Sequence, residues 1–360
     1  MRDLILGQLP KDYDFATDCP IEESKKLFKK VIPTGVTHGT VSIRFQGHLF
    51  EVTRFRKDVE HYGRRAKVSF SDSWEEDQER RDLTINAIFC DLLEERFLDS
   101  QASLEDFEKK QIRFVGDPRE RIQEDHLRAL RFLRFAARFR PLGFEVDPQG
   151  LKAALEIFDP SYLSMERILD EISKIFTNSY DHEYLLENLP KLRLLRLILS
   201  PQLESPCLQA WLELQNPLPL AFYALQEGKF SMSDLRLPKK TIQLAQILLA
   251  FAKRDLSDEV VLKDLLHQVQ RKDHEILAQA VSLLLEPSAA PLLERIQKSG
   301  EPIYMAELAL EAKDLIKLGY QGKELGQRLH ALLQWVWQRP SDNNPDALLK
   351  KIQEYAPNNQ

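Results

Sequence analysis

The chain has 360 residues, more than one small core needs, and its 43% hydrophobic and 29% charged content excludes a disordered chain. No apolar run approaches the roughly 18 to 20 residues that span a bilayer, and no signal-peptide pattern opens the sequence. The expected address is therefore the cytoplasm, with no membrane partner. The net charge of −6 excludes indiscriminate coating of nucleic acid but leaves local basic patches open.

Cys19, Cys90 and Cys207 are scattered, without CxxC or Cys/His ligand spacing, so neither a disulfide framework nor a zinc site is expected and buried thiols are. In chain order, "KDYDFAT" puts Asp12 and Asp14 at i and i+2. On a strand both carboxylates project from one face, which suits one or two hard cations such as Mg²⁺. A solvated turn is the competing reading. Residues 31–56, "VIPTGVTHGTVSIRFQGHLFEVTRFR", alternate β-branched or aromatic with polar residues around "THGT" and "FQGH", predicting a hairpin or meander. Glu51 within it is either a third acid on a neighbouring strand or a surface residue pairing with Arg54 or Arg56.

"ERRDLTINAI", residues 79–88, sets Arg80, Arg81 and Asp82 before an apolar run. Guanidinium forks match phosphate and a carboxylate can accept from a ribose hydroxyl, although a helix start capped by Asp82 uses the same residues. From about residue 101 the period becomes helical and prolines punctuate it. "RERIQEDHLRALRFLRFAARF", residues 119–139, repeats Arg121, Glu124 or Asp125, Arg128, Arg131, Arg134 and Arg138 at steps of three or four. That predicts a continuous helix with an arginine side and a buried face of Leu127, Leu130, Leu133 and Phe135. The stripe is either a salt-bridged solvated face or, because arginines outnumber acids, a set of free cations for an anionic ligand. A loop before a last helix is expected near "QWVWQRPSDNNPD".

These segments, with "LSMERILDEISKIF" after them, resemble in order and spacing the bacterial class II tRNA nucleotidyltransferases over about residues 1–176. That family comprises CCA-adding enzymes and their A-adding, CC-adding and poly(A) polymerase relatives. The resemblance implies an α+β chain: a polymerase β-like nucleotidyltransferase head at 1–100, a helical neck for base recognition at 101–176, and an elongated helical body and tail that bind tRNA at 177–360. It implies metal-binding Asp12 and Asp14, to which the strand pattern adds Glu51 as candidate third catalytic carboxylate, with Arg2 approaching the triphosphate, and Arg80, Arg81 and Asp82 at the ribose and triphosphate. Its EDxxR motif falls on Glu124, Asp125 and Arg128, followed by Arg131 and Arg134, with Asp125 and Arg128 templating the incoming base.

The implied reaction is attack of a tRNA 3′-hydroxyl on the α-phosphate of CTP or ATP, aided by Mg²⁺, with pyrophosphate leaving. Complete CCA addition is favoured by "PTGVTHGTVSI" and the long 56–79 loop, ahead of an A-adding, CC-adding or poly(A) polymerase specialist. The family opens with a strand and a Gly-Gly pair before Val-Arg-Asp, whereas this sequence begins Met1-Arg2-Asp3. The expectation is a start inside the motif, Met1 standing for the family's valine. The reading from another class is an inactive RNA-binding protein with a truncated head. Lys110 stands where the family often has glycine.

Overall fold

The computed structural model describes all residues except 11–12, 37–38, 63–64, 177–180, 193, 195–198, 229–236 and 355–360, with the side chains of 58–68, 176 and 201 also outside the description. Asp12, the first of the two expected metal ligands, therefore lies outside the described residues. The chain divides into two compact units, Met1–Leu197 and Ile198–Gln360.

The first unit opens with α1 (Arg2–Ile5), β1 (Asp14–Thr17) and α2 (Ile21–Leu27), then the expected meander of β2 (Val31–Gly35), β3 (Thr40–Phe45) and β4 (His48–Arg54). The β3–β4 loop is the two-residue Gln46-Gly47, with φ of 47° and 88°, the left-handed pair that matches strand twist and that glycine eases at its second position. The sheet order is β1-β4-β3-β2, with β1 parallel to β4 and the other pairs antiparallel. Val41 and Ile43 of β3 are buried on one face, and Phe15 meets Phe50 edge-to-face at 5.7 Å on that same face. The opposite face is polar, carrying Ser42, Glu51 and Asp14.

Next come a ribbon of β5 (Arg56–Tyr62) and β6 (Arg65–Phe70), then α3 (Trp74–Glu79), a 3₁₀ turn at Thr84–Asn86, and a hairpin of β7 (Phe89–Asp91) and β8 (Arg96–Leu98). Buried Gln78 ties this region together: its Nε2 donates to the Ala87 and Leu98 carbonyls at 2.6 Å each, and its Oε1 accepts from Ser100 N at 2.8 Å. Over the expected neck, residues 101–176, come α4 (Ser103–Glu108), β9 (Gln111–Ile112), α5 (Pro118–Glu124), α6 (Leu127–Phe139), β10 (Glu145–Val146), α7 (Pro148–Ile157) and α8 (Met165–Phe176), and α9 (His182–Asn188) follows in the same unit. Lys110 adopts φ of 53°, the left-handed conformation that a glycine there would adopt without strain.

The expected continuous helix over 119–139 is in fact two. Asp117 caps α5, accepting from Arg119 N and Glu120 N, and Pro118 starts it without an orphaned donor. The break comes at Asp125, which turns extended at φ −151° and ψ 104° and accepts Leu127 N at 3.1 Å, serving the free amides of α6. Burial of the α6 face is as expected for Leu130, Leu133 and Phe135, but Leu127 is only half-buried. Phe132 stacks on Phe114 at 4.7 Å in the centre of the neck.

The second unit is helical among its described residues: α10 (Pro201–Leu214), α11 (Leu218–Glu227), α12 (Lys239–Phe251), α13 (Glu259–His267), α14 (His274–Leu284), α15 (Ala289–Lys298), α16 (Ala312–Lys317), α17 (Gly322–Gln338) and α18 (Pro345–Glu354). Pro206 lies inside α10 rather than between helices. Lys263 is fully buried, its charge met by Glu301 and its Nζ donating to the Trp337 carbonyl at 3.1 Å. Leu315, Leu332, Leu333, Val336, Leu348 and Ile352 form the apolar core of the C-terminal helices. Of the cysteines only Cys207 is buried; Cys19 and Cys90 are partly exposed. No helix among the described residues is long and apolar enough to cross a membrane.

Candidate active site

Asp14 begins β1 and stands in register with Glu51 of β4, so their side chains are neighbours on the polar face of a parallel strand pair. Both are exposed, and neither carboxylate has a hydrogen-bond or ion-pair partner among the described residues. The surface-pairing alternative for Glu51 is thereby removed for Arg54, which bonds Asp72 at 3.0 Å. Two adjacent uncommitted carboxylates fit a hard divalent cation, which takes oxygen ligands and completes its shell with water or phosphate. No group of three or more His, Cys, Asp or Glu poised around a metal occurs among the described residues, and those do not include Asp12.

A second group of candidates lines one cleft of about 250 Å³: Arg80, Arg81, Asp82, Asp125, Arg128 and Arg131, joined by Asn86, Leu127 and Arg167. Backbone pairing brings the head segment to the neck. Thr84 N donates to Arg113 O at 3.0 Å and Val115 N to Asp82 O at 3.2 Å. Asp82 is thus buried beside α6, where its carboxylate accepts from Leu83 N at 2.8 Å, Asn86 Nδ2 at 3.0 Å and Arg131 Nε at 2.6 Å. Burial pushes its pKa up, but Arg131 and the two other donors outweigh that, and the net result lies below the usual carboxylate value. Asp82 is consequently an anion at neutral pH.

The arginine stripe does not supply free cations. Arg128 pairs with Glu124, Arg131 with Asp82, Arg134 with Glu171 and Arg138 with Asp3. Three of those four acids lie outside residues 119–139, so counting charges within the stripe misses them. The pairing also fixes geometry. Arg128 spends one amino group on the Arg80 carbonyl at 2.9 Å, holding the base of the RRD segment against the helix break. Arg81 donates to Asp77 at 2.8 Å.

Arg134 and Arg2, both expected to bind the nucleotide, stand outside the cleft lining. Arg134 is 8% exposed, its guanidinium 4.1 Å over the Phe135 ring and bonded to Glu171. Arg2 lies 4.9 Å over the same ring and donates to Asn86 Oδ1. Burial lowers the pKa of Arg2, as do Arg138 and Arg134, while Asp3 opposes them. Asn86 went unnamed in the sequence reading. It bonds both Arg2 and Asp82, yet a lone Asn in "LTINAI" carries no spacing signal; only its fourth place after Asp82 hinted at a shared turn.

A family model described as the Poly A polymerase head domain matches residues 1–113. The CCA-adding enzyme of Lactobacillus helveticus is 31% identical over 371 residues, spanning 98% of this chain and 91% of that protein. The mitochondrial CCA tRNA nucleotidyltransferase 1 of Danio rerio is 31% identical over 354 residues, spanning 92% of this chain and 80% of its own length. Among solved structures, the Bacillus stearothermophilus CCA-adding enzyme in complex with CTP aligns with a TM-score of 0.66 at 26% identity, over 94% of this chain and 86% of that one. Similarity at this level over nearly the whole of both chains makes this chain a member of the class II tRNA nucleotidyltransferases, the family of the CCA-adding enzymes.

Proposed function

We propose that this protein adds CCA to tRNA 3′ ends without a nucleic-acid template, using CTP and ATP and releasing pyrophosphate. The observation that carries the reading is the cleft in which Asp125 and Arg128 flank the break between α5 and α6, with Asp82 and Arg131 paired beside them. Cytosine and adenine each present an exocyclic amino donor beside a ring-nitrogen acceptor. One carboxylate and one guanidinium therefore serve both. Uracil and guanine present a carbonyl and an N–H instead, which would leave buried polar groups unpaired.

Asp125 is assigned to accept from the base amino group and Arg128 to donate to the ring nitrogen. Asp82 is assigned to the ribose, Arg2, Arg81 and Arg131 to triphosphate charge, and Arg134 to the nucleotide site from outside the cleft lining, where it is paired with Glu171. The 3′-hydroxyl oxygen bonds to the α-phosphorus as the bond to the β-phosphate bridging oxygen breaks. Protein groups contribute position and preorganised charge, with no covalent intermediate. Asp14 with Asp12 would hold Mg²⁺, Glu51 beside them, and the ion when bound would acidify the attacking hydroxyl and neutralise the leaving pyrophosphate. We assign the phosphoryl-transfer chemistry to residues 1–100, base reading to 101–176 and the tRNA grip to 177–360. A cytoplasmic site of action agrees with three free thiols.

Equilibrium binding of the four nucleoside triphosphates tests the reading. CTP and ATP should bind at least about tenfold more tightly than UTP and GTP, and Arg128→Ala should narrow that gap. Equal binding of all four by the unaltered protein contradicts it.

A further inference from the structure

His126 lies between Asp125 and the first residue of α6, at the helix break, and its ring is anchored to the far side of it. Nδ1 accepts the Asp159 backbone N–H at 3.0 Å. With Nδ1 accepting, the proton of the neutral ring sits on Nε2. The ring stacks on Tyr162 at 4.6 Å with only 12° between planes. The side chain is 8% exposed.

The segment on the other side of these contacts is itself rigid. Asp159 caps the short 3₁₀ turn at Pro160–Tyr162, accepting from Ser161 N at 2.9 Å, and Pro160 fixes the backbone after it. The chain then enters α8, whose Arg167 donates to Asp125 Oδ2 at 2.7 Å. These contacts add to the backbone bonds at the break, where Asp125 N donates to Arg121 O at 3.4 Å and Asp125 O accepts from Arg128 N at 2.9 Å.

We propose that His126 is a positioning residue for nucleotide selection. Its imidazole, accepting the Asp159 N–H and lying flat on Tyr162, sets where the adjacent Asp125 carboxylate stands in the cleft. This rests on the reading of Asp125 as the group that accepts from the base. A displaced carboxylate meets the cytosine or adenine amino group poorly and loses its advantage over a carbonyl. Misplacement by about 1 Å is enough to cost a large factor in rate. Arg167 restrains one oxygen of Asp125, and His126 restrains the backbone that carries it.

The test is single-nucleotide incorporation into tRNA, comparing CTP and ATP with UTP and GTP for the unaltered protein and for H126A, H126N, Y162A and D125A. Asn in place of His126 can offer an oxygen near the Nδ1 position to the Asp159 N–H, so H126N should retain most of the selectivity. H126A should lose about tenfold in discrimination, and Y162A should shift it in the same direction, with tRNA affinity unchanged. Tyr162 is 47% exposed, so its removal leaves the fold intact and keeps the test valid even where H126A melts early. Unchanged discrimination in both H126A and Y162A, with activity tracking only the folded fraction, overturns the proposal. Unchanged discrimination in D125A instead overturns the base-reading assignment beneath it, so the two failures are distinguishable.

Discussion

Arg131 donates its Nε–H to the Asp82 carboxylate at 2.6 Å, joining residues 49 apart and tying the RRD segment of the head to the arginine helix of the neck. The acid is nearly buried and the guanidinium about one-third exposed. Replacing Asp82 with alanine strands a partly buried cation and two former donors. After allowance for the exposed part of Arg131, the change should cost roughly 2 kcal/mol of stability. Urea unfolding of D82A measures it; an unchanged midpoint contradicts the account of this pair.

Arg134 and Glu171 form the more deeply buried pair, at 10% and 1% side-chain exposure. Glu171→Ala should destabilise by about 3 to 5 kcal/mol, whereas replacing both with apolar residues of similar volume should cost far less, because no charge is then left buried alone. The double variant less stable than the single would refute this reasoning.

Asp14 and Glu51 call for the opposite pattern. Both side chains are exposed and without partners among the described residues, so D14N and E51Q should leave the melting temperature and tRNA affinity unchanged. Turnover should fall by about 100-fold or more if they handle the reacting phosphate. Removing divalent cation with a chelator should likewise stop incorporation and leave the fold intact.

Burial lowers the pKa of His126 and of His274 below the ordinary imidazole value of 6.5, while Asp125 and Asp159 oppose the shift at His126. Each ring is neutral in the folded chain and gains a proton more readily on unfolding. Just below pH 6.5 the unfolded state therefore binds more protons, and folding stability must fall as pH drops through that region. Urea midpoints at a series of pH values check this. H126N should flatten part of the slope; an identical slope would show that the imidazole titrates normally.

The meander and the helical second half are legible because each rests on local chemistry: alternation, a glycine at a two-residue turn, and a 3.6-residue period, whereas the RRD and EDxxR segments stand out only through their resemblance to the family. The helix break at Asp125 is not legible. Apolar and arginine residues keep helical spacing straight through "EDHLR", and only the side-chain bond from Asp125 to Leu127 N, with the anchorage of His126, decides against continuity. Partners of the arginines were equally hidden, since Asp3, Asp82 and Glu171 lie 135, 49 and 37 residues from their mates. Spacing within a helix reports which residues share a face; it is silent on which acids the tertiary fold delivers there.

The most direct measurement of CCA addition is what the protein does to a tRNA that lacks its 3′ end. Given Mg²⁺ and CTP alone, it should extend that tRNA by two residues; given CTP and ATP together, by three, ending in a single A. ATP alone should add one residue to a tRNA that already ends in CC. Absence of any incorporation, or an open-ended run of adenylates, would contradict it.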